Sequence, residues 1–248
     1  MSFSADKNVT STATITATID NIHERKQAEL QLRHLALHDT LTGLHNRYYF
    51  DQQLNQFCEQ AKQDAQLEHA LIYIDLDHFK IINDSKGHQQ GDIVLKEVAQ
   101  LFGEHIADEH LIFRIGGDEF AILLKHTPLL DAHMLAESVC SAIEHHQFHS
   151  EEASYTISCS IGLAQITHQN SDPSECLKQA DIALYIAKNL GRNLVHCYSK
   201  EDAQTAPCKP VWNGDTMFVR RCKIITLNCT TSQFGILNAI RWPILRLY

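Results

Sequence analysis

No run of residues approaches the ~18–20 consecutive apolar positions of a membrane-spanning helix, so the sequence predicts a chain without a membrane span. Residues 1–20 hold one Lys, two Asp and many Thr but no apolar segment, and so show no signal peptide. C-x-x-C spacing is missing too: the eight cysteines stand at 58, 140, 159, 176, 197, 208, 222 and 229. That pattern excludes a disulfide framework and a cysteine zinc site, and reads as reduced thiols in a cytoplasmic protein. A basic excess is also lacking. Twenty-one Lys+Arg against thirty Asp+Glu gives a net charge of −9, which argues against a general nucleic-acid binder. It leaves room for a single nucleotide held by a metal and a few local cations. His145, His146 and His149 read as a solvated helix end rather than a metal site.

The remainder is ordinary for a folded chain. With 248 residues, 44% hydrophobic and 21% charged, it has material for one full domain plus appendages and is not disordered throughout. Thr12, Thr14, Ile15, Thr16, Thr18 and Ile19 suit a terminal strand. From about Ile22 the pattern turns helical, with Ala28, Leu32 and Leu35 at +4 and +3 and Leu30 seven residues before Leu37. A short amphipathic helix fits, able to pair with a second copy but too short to establish a coiled coil.

Residues 39–199 alternate between element types. Helices are expected over Tyr48 to about Gln66, Asp92–Phe102, Asp131–His145 and Pro173–Leu190. Strands are expected at His69–Asp75, Leu111–Ile115, Glu119–Lys125, Tyr155–Ile166 and Leu194–Tyr198. Gly116-Gly117-Asp118 joins two of these as a tight hairpin, which makes the sheet mixed. The class is therefore α+β: a mixed, mostly antiparallel central sheet flanked by helices.

Acidic residues gather where strands end. Asp75 and Asp77 close the strand at 69–75, and Asp118 and Glu119 sit at the hairpin tip. If those strands are neighbours, Asp75 and Asp118 converge, and converging carboxylates repel unless a cation lies between them. Hard oxygen donors at a turn suit Mg²⁺, which keeps positions open for substrate phosphates. Taken alone, G-G-D-E reads as a hairpin turn with solvated acids.

The sequence is more specific than that. Asp39–Arg47 reads D-T-L-T-G-L-H-N-R, and Asp75–Asp92 reads D-L-D-H-F-K-I-I-N-D-S-K-G-H-Q-Q-G-D. Arg114–Phe120 reads R-I-G-G-D-E-F, Ile161-Gly162 follows, and Ala180–Asn193 reads A-D-I-A-L-Y-I-A-K-N-L-G-R-N. In this order and spacing the chain resembles the GGDEF family of diguanylate cyclases, whose fold is palm-like. The resemblance covers about residues 39–199 and implies a set of roles. Asp75, the Leu76 carbonyl and Asp118 would hold Mg²⁺, with Mn²⁺ as its substitute. Asn83 and Asp92 would bond the guanine edge, with His88 lining the site. Backbone N–H groups at Phe79 and Lys80 would cradle the β- and γ-phosphates, and Lys188 and Arg192 would add charge. Being four apart, Lys188 and Arg192 are expected to share a helix face near its C-terminus. Asp118, Glu119 and Lys80 are the residues assigned to the reaction, with the proton acceptor either Asp118 or Glu119. The implied activity joins two GTP into cyclic di-GMP and two pyrophosphates across a homodimer. The alternative is a catalytically inactive GTP-binding regulatory module of the same fold.

One departure from the family pattern stands out. The R-x-x-D that often marks an inhibitory product site is replaced by Ala107-Asp108-Glu109-His110, so product inhibition there is not expected. Residues 1–38, with Asn21–Glu29 in N-I-H-E-R-K-Q-A-E, resemble the exit of a PAS sensor and a signalling helix. Residues 200–248 show no periodicity. Back-translated and read one register over, Val211–Phe234 can resemble the opening of an EAL phosphodiesterase domain. Trp212–Asn213 then forces Glu, and Met217–Phe218 forces Val. The parent would then carry a sensor upstream and an EAL domain downstream.

Overall fold

The computed structural model describes residues 25–29, 31–149 and 154–205, and the backbone of 212–213 and 216–217. The expected strand within residues 1–20 and most of the 200–248 tail lie outside the described residues. The chain divides into two units, Met1–Ala206 and Pro207–Tyr248. In the second, β8 (Trp212–Asn213) pairs antiparallel with β9 (Thr216–Met217).

In the first unit, residues 25–29 and 31–37 are helical (α1). There follow α2 (Arg47–Gln63), β1 (His69–Leu76), α3 (Phe79–Lys86), α4 (His88–His105), β2 (Leu111–Gly116) and β3 (Glu119–Leu124). Then come α5 (Leu129–His145), β4 (Phe148–His149), β5 (Ser154–Tyr155), β6 (Cys159–Ile166), α6 (Pro173–Asn189), β7 (Val195–Cys197) and α7 (Asp202–Thr205). Five strands form one sheet in the order β2-β3-β1-β6-β7. All pairs are antiparallel except β6 with β7. The expected mixed, mostly antiparallel sheet is the one observed.

Strand β1 is central and buried on both faces, which explains an unbroken apolar run in place of alternation. Its Ala70, Ile72, Ile74 and Leu76 pack into the core under α3, α4 and α5. Leu71 and Tyr73 point the other way, to Phe50, Leu54 and Phe57 of α2 and to Cys176, Ala180 and Leu184 of α6. Helices therefore cover both faces. Where β6 meets α6, a Cβ at Gly162 would overlap the Ala180 carbonyl oxygen and the Leu184 nitrogen, so only glycine permits this approach. Helix α6 starts cleanly: Asp172 accepts from the Glu175 N–H and Pro173 occupies the first turn.

Four expectations change. α3 was not foreseen, and α4 begins at His88, four residues before the expected Asp92, with Gly87 (φ 83°) separating the two helices. The expected strand over 155–166 is two pieces, because β5 leaves the main sheet to pair with β4. α7 gives residues 202–205 one helical turn, its start fixed by Asp202 accepting from the Ser199 N–H at 2.7 Å. The histidines at the end of α5 keep the expected solvated setting: His145 and His149 are exposed, His145 bonds the Ser141 carbonyl, and His146 lies 2.9 Å from Glu97. Among the described residues no helix is long and apolar enough to cross a membrane.

Candidate active site

The antiparallel register of β1 and β3 sets Asp75 directly opposite Glu119. The Leu76 N–H donates to the Asp118 carbonyl at 3.2 Å, so the end of β1 and the hairpin tip are in direct contact. Lys188, in the last turn of α6, reaches Asp75 Oδ2 at 2.6 Å. Tyr73 donates its hydroxyl to Glu119 Oε2 at 3.4 Å. Asp75, Glu119 and the Lys188 ammonium are thus neighbours at the end of β1, with the Asp118 backbone bonded beside them. Burial raises the pKa of Asp75, against the bond from Lys188 and with a further push from Asp118 and Asp77. Glu119 is raised as well, by burial first and then by the charges of Asp75 and Asp118.

Those oxygens fit a hard divalent cation. Asp75, Asp118 and the Leu76 carbonyl offer oxygen donors only, and beyond burial the neighbouring acidic charges push Asp75 and Glu119 up, a repulsion that a cation would relieve. Among the described residues no group of three His, Cys, Asp or Glu side chains is already gathered in the geometry of a metal site.

The hairpin is held from the side. Arg114 donates to the Gly117 carbonyl from Nη2 at 2.9 Å and from Nε at 3.2 Å, and pairs with Asp39 at 3.1 Å. Asp39 also accepts from the Thr42 N–H and hydroxyl. Burial alone would raise the Asp39 pKa, but the Thr42 bonds and Arg114 outweigh it, and the carboxyl ends below its ordinary value.

A second group lies on the α3–α4 pair. Phe79 and Lys80 open α3, so their N–H groups have no intrahelical acceptor. Phe79 is buried, while Lys80, His88 and Asp92 are exposed. Asn83 packs against Gly91, where a Cβ would overlap its Oδ1. Gly91 thus leaves room for the Asn83 amide beside Asp92.

The expected shared helical face of Lys188 and Arg192 is not observed. α6 ends at Asn189, and Arg192 lies in the following turn with φ at 66°. Gly191 breaks the helix, so the four-residue spacing no longer places the two side chains on one face. They reach different carboxylates: Lys188 takes Asp75, and Arg192 Nε lies 3.9 Å from Asp77 Oδ1. Asp77 itself is buried and accepts from Ser158 and Ser160, both at 2.8 Å. Sequence reading had grouped it with Asp75; nothing in D-L-D tells the two apart.

A family model described as "Diguanylate cyclase, GGDEF domain" matches residues 36–194. The chain belongs to the GGDEF family. This GGDEF chain is 37% identical over 185 residues to the "Probable diguanylate cyclase DgcE" of Escherichia coli K12, covering 75% of the chain and 17% of that protein. It is 39% identical over 168 residues to the "Bifunctional diguanylate cyclase/cyclic di-GMP phosphodiesterase MucR" of Pseudomonas aeruginosa, covering 67% of the chain and 24% of that protein. Among solved structures, the coiled coil and GGDEF domain of DgcB from Caulobacter crescentus, in complex with c-di-GMP, superposes with a TM-score of 0.69 at 29% identity. That match covers 75% of this chain and 97% of that one. The chain spans about a fifth of the curated relatives' length. GGDEF cyclases are divalent-metal dependent, use GTP and act as dimers.

Proposed function

We propose that this GGDEF domain joins two GTP into cyclic di-GMP and two pyrophosphates, each of two copies holding one GTP. The observation that carries the reading is Asp75 set opposite Glu119 and paired with Lys188, with the backbone of Asp118 bonded to Leu76 beside them. Asp92 accepts two guanine N–H groups that adenine cannot offer, and Asn83 and His88 complete that end of the site. The open N–H groups of Phe79 and Lys80 hold the β- and γ-phosphates, with Lys80, Lys188 and Arg192 supplying charge. Asp75, the Leu76 carbonyl and Asp118 would hold Mg²⁺, or Mn²⁺ in its place, and such a cation would lower the pKa of the 3′-hydroxyl and neutralise charge at the α-phosphate. Asp118 or Glu119 takes the 3′-hydroxyl proton as that oxygen attacks the α-phosphate of the partner's GTP. One site cannot complete the product, so two loaded copies must face each other.

In this reading residues 39–199 are the cyclase, residues 1–38 are a sensor-exit segment and signalling helix, and residues 200–248 are an irregular tail whose Val211–Phe234 stretch is an out-of-frame EAL start. A cytoplasmic setting fits the free cysteines at 58, 140, 159, 176 and 197. Incubating the full chain with GTP and Mg²⁺ tests the activity, and cyclic di-GMP is the expected product. GTP bound without product at high protein concentration assigns the non-catalytic module instead.

A further inference from the structure

We infer that Asp77 is a positioning residue for GTP binding: its buried carboxylate clamps the 191–193 turn and thereby places Arg192. The inference rests on the GTP-binding reading above.

The Asp77 side chain is fully shielded from solvent, a costly place for a carboxylate unless its oxygens are satisfied. Three short bonds satisfy them. Ser160 donates to Oδ1 at 2.8 Å, and Oδ2 accepts Ser158 at 2.8 Å and the Asn193 N–H at 3.1 Å. Its own N–H donates to the Ser158 carbonyl at 2.8 Å. With its lone pairs so committed, Asp77 is a joint between the end of β1, the entry to β6 and the turn after α6. It is not a spare ligand.

That turn needs a joint. Arg192 and Asn193 both have left-handed backbones, φ 66° and 50°, each costing about 1 kcal/mol or more for a non-glycine residue. Such a conformation persists where surrounding bonds fix it. Here the anchors are the Asn193 N–H to Asp77, the Asn193 amide to Glu144 at 2.6 Å, and the Arg192 N–H to the Ala187 carbonyl at 3.2 Å. The Arg192 side chain is 46% exposed, with Asp77 3.9 Å from its Nε, so little else on its own segment holds it. The two aspartates of D-L-D therefore divide the work: Asp75 meets Lys188, and Asp77 sets the turn that carries Arg192.

A double-mutant cycle on the full chain tests this, with GTP affinity, melting temperature and amide hydrogen exchange as readouts. Asp77→Asn is expected to weaken GTP binding about tenfold and to speed exchange at Asn193 in the free protein. In an Arg192→Ala background the same change is expected to alter affinity less than twofold, since the residue it positions is gone. Equal losses in both backgrounds, or unchanged exchange at Asn193, overturn the inference. Should Asp77→Asn fail to fold, the Ser158→Ala/Ser160→Ala pair strips two donors while keeping the charge. An affinity loss that Arg192→Ala abolishes supports the inference, and unchanged affinity refutes it. A wild-type chain that binds GTP without turnover removes the cyclase reading but leaves this cycle decisive.

Discussion

Gly91→Ala separates binding from stability, because the two effects carry opposite signs. Gly91 is an interior residue of α4, where alanine is favoured over glycine by about 1 kcal/mol. For a domain of this size that gain corresponds to roughly 2–4 °C in melting temperature. Against it, the new methyl overlaps Asn83 Oδ1 and lies 3.0 Å from Asn83 Cγ and 3.1 Å from Phe79 Cζ. The amide is the far end of a flexible side chain and can rotate away, while the Phe79 ring has to give by a few tenths of an ångström. Stability should therefore change by only a few degrees. Binding should not escape. On the proposed placement of Asn83 at the guanine edge, rotating it should remove one or two hydrogen bonds, each worth about 0.5–1.5 kcal/mol. The loss, about 0.5–3 kcal/mol, weakens GTP roughly 2- to 150-fold, centred near twentyfold. Titration with GTP and a thermal melt on the same preparation measure both. Affinity within twofold of wild type refutes the placement of Asn83 at the base. A collapse in melting temperature refutes the claim that Gly91 serves the amide rather than the helix packing. Gly162→Ala is the contrasting case, since its methyl would strike the rigid backbone of α6 and should cost about 3 kcal/mol of stability or more.

The other expectations are simpler. Asp118→Ala should lower cyclic di-GMP formation about a thousandfold or more, and near wild-type turnover would dismiss the acidic hairpin as the reaction centre. His69 is fully buried, and burial, then His126 and Lys125, lower its pKa from 6.5 to about 4. The unfolded chain therefore binds the extra proton first: this contribution is whole above pH 6.5 and is lost as pH falls toward 4, about 3 kcal/mol in all. Denaturant melts of His69→Gln should show a flatter decline over that window, and an unchanged slope would count against the assignment. Cyclic di-GMP should inhibit weakly, because Ala107 and His110 cannot supply the guanidinium fork and carboxylate of R-x-x-D. Strong non-competitive inhibition would point to a product site elsewhere.

The sheet was legible because its signals are local. β1 shows itself as a run buried on both faces, the Gly116-Gly117 turn fixes the hairpin, and Asp172-Pro173 marks the start of α6. α3 was hidden for an equally local reason: it is eight residues long, polar in its second half, and entered through His78 at φ 60° instead of through a capping side chain. The positions of Asp75, Asp118 and Glu119 follow from strand adjacency, which the hairpin and the acidic strand end together suggest. Asp77 could not be read that way. Its partners Ser158, Ser160 and Asn193 lie 81, 83 and 116 residues away, and no spacing rule spans such distances.

The same distinction bears on how the signature turn keeps its shape. Gly116 and Gly117 take φ values of 155° and 56°, so the backbone at the tip is permissive and would wander if held by the ladder alone. Arg114 removes that freedom by bonding the Gly117 carbonyl twice, and Arg114 is itself fixed by Asp39. Asp39 belongs to the segment directly after α1, where Asn46 bonds the Ala36 and His38 carbonyls, the His34 and His38 rings stack 4.0 Å apart, and the His45 ring lies tilted 4.4 Å from His38. The His45 N–H and carbonyl then pair with Ile112 and Arg114 on the edge of β2. The carboxylates at the hairpin tip are therefore positioned from two directions, by the sheet through β1 and by the α1 junction through Arg114. The D-x-L-T stretch and the G-G-D-E turn are parts of one mechanical unit, although 75 residues separate Asp39 from Arg114.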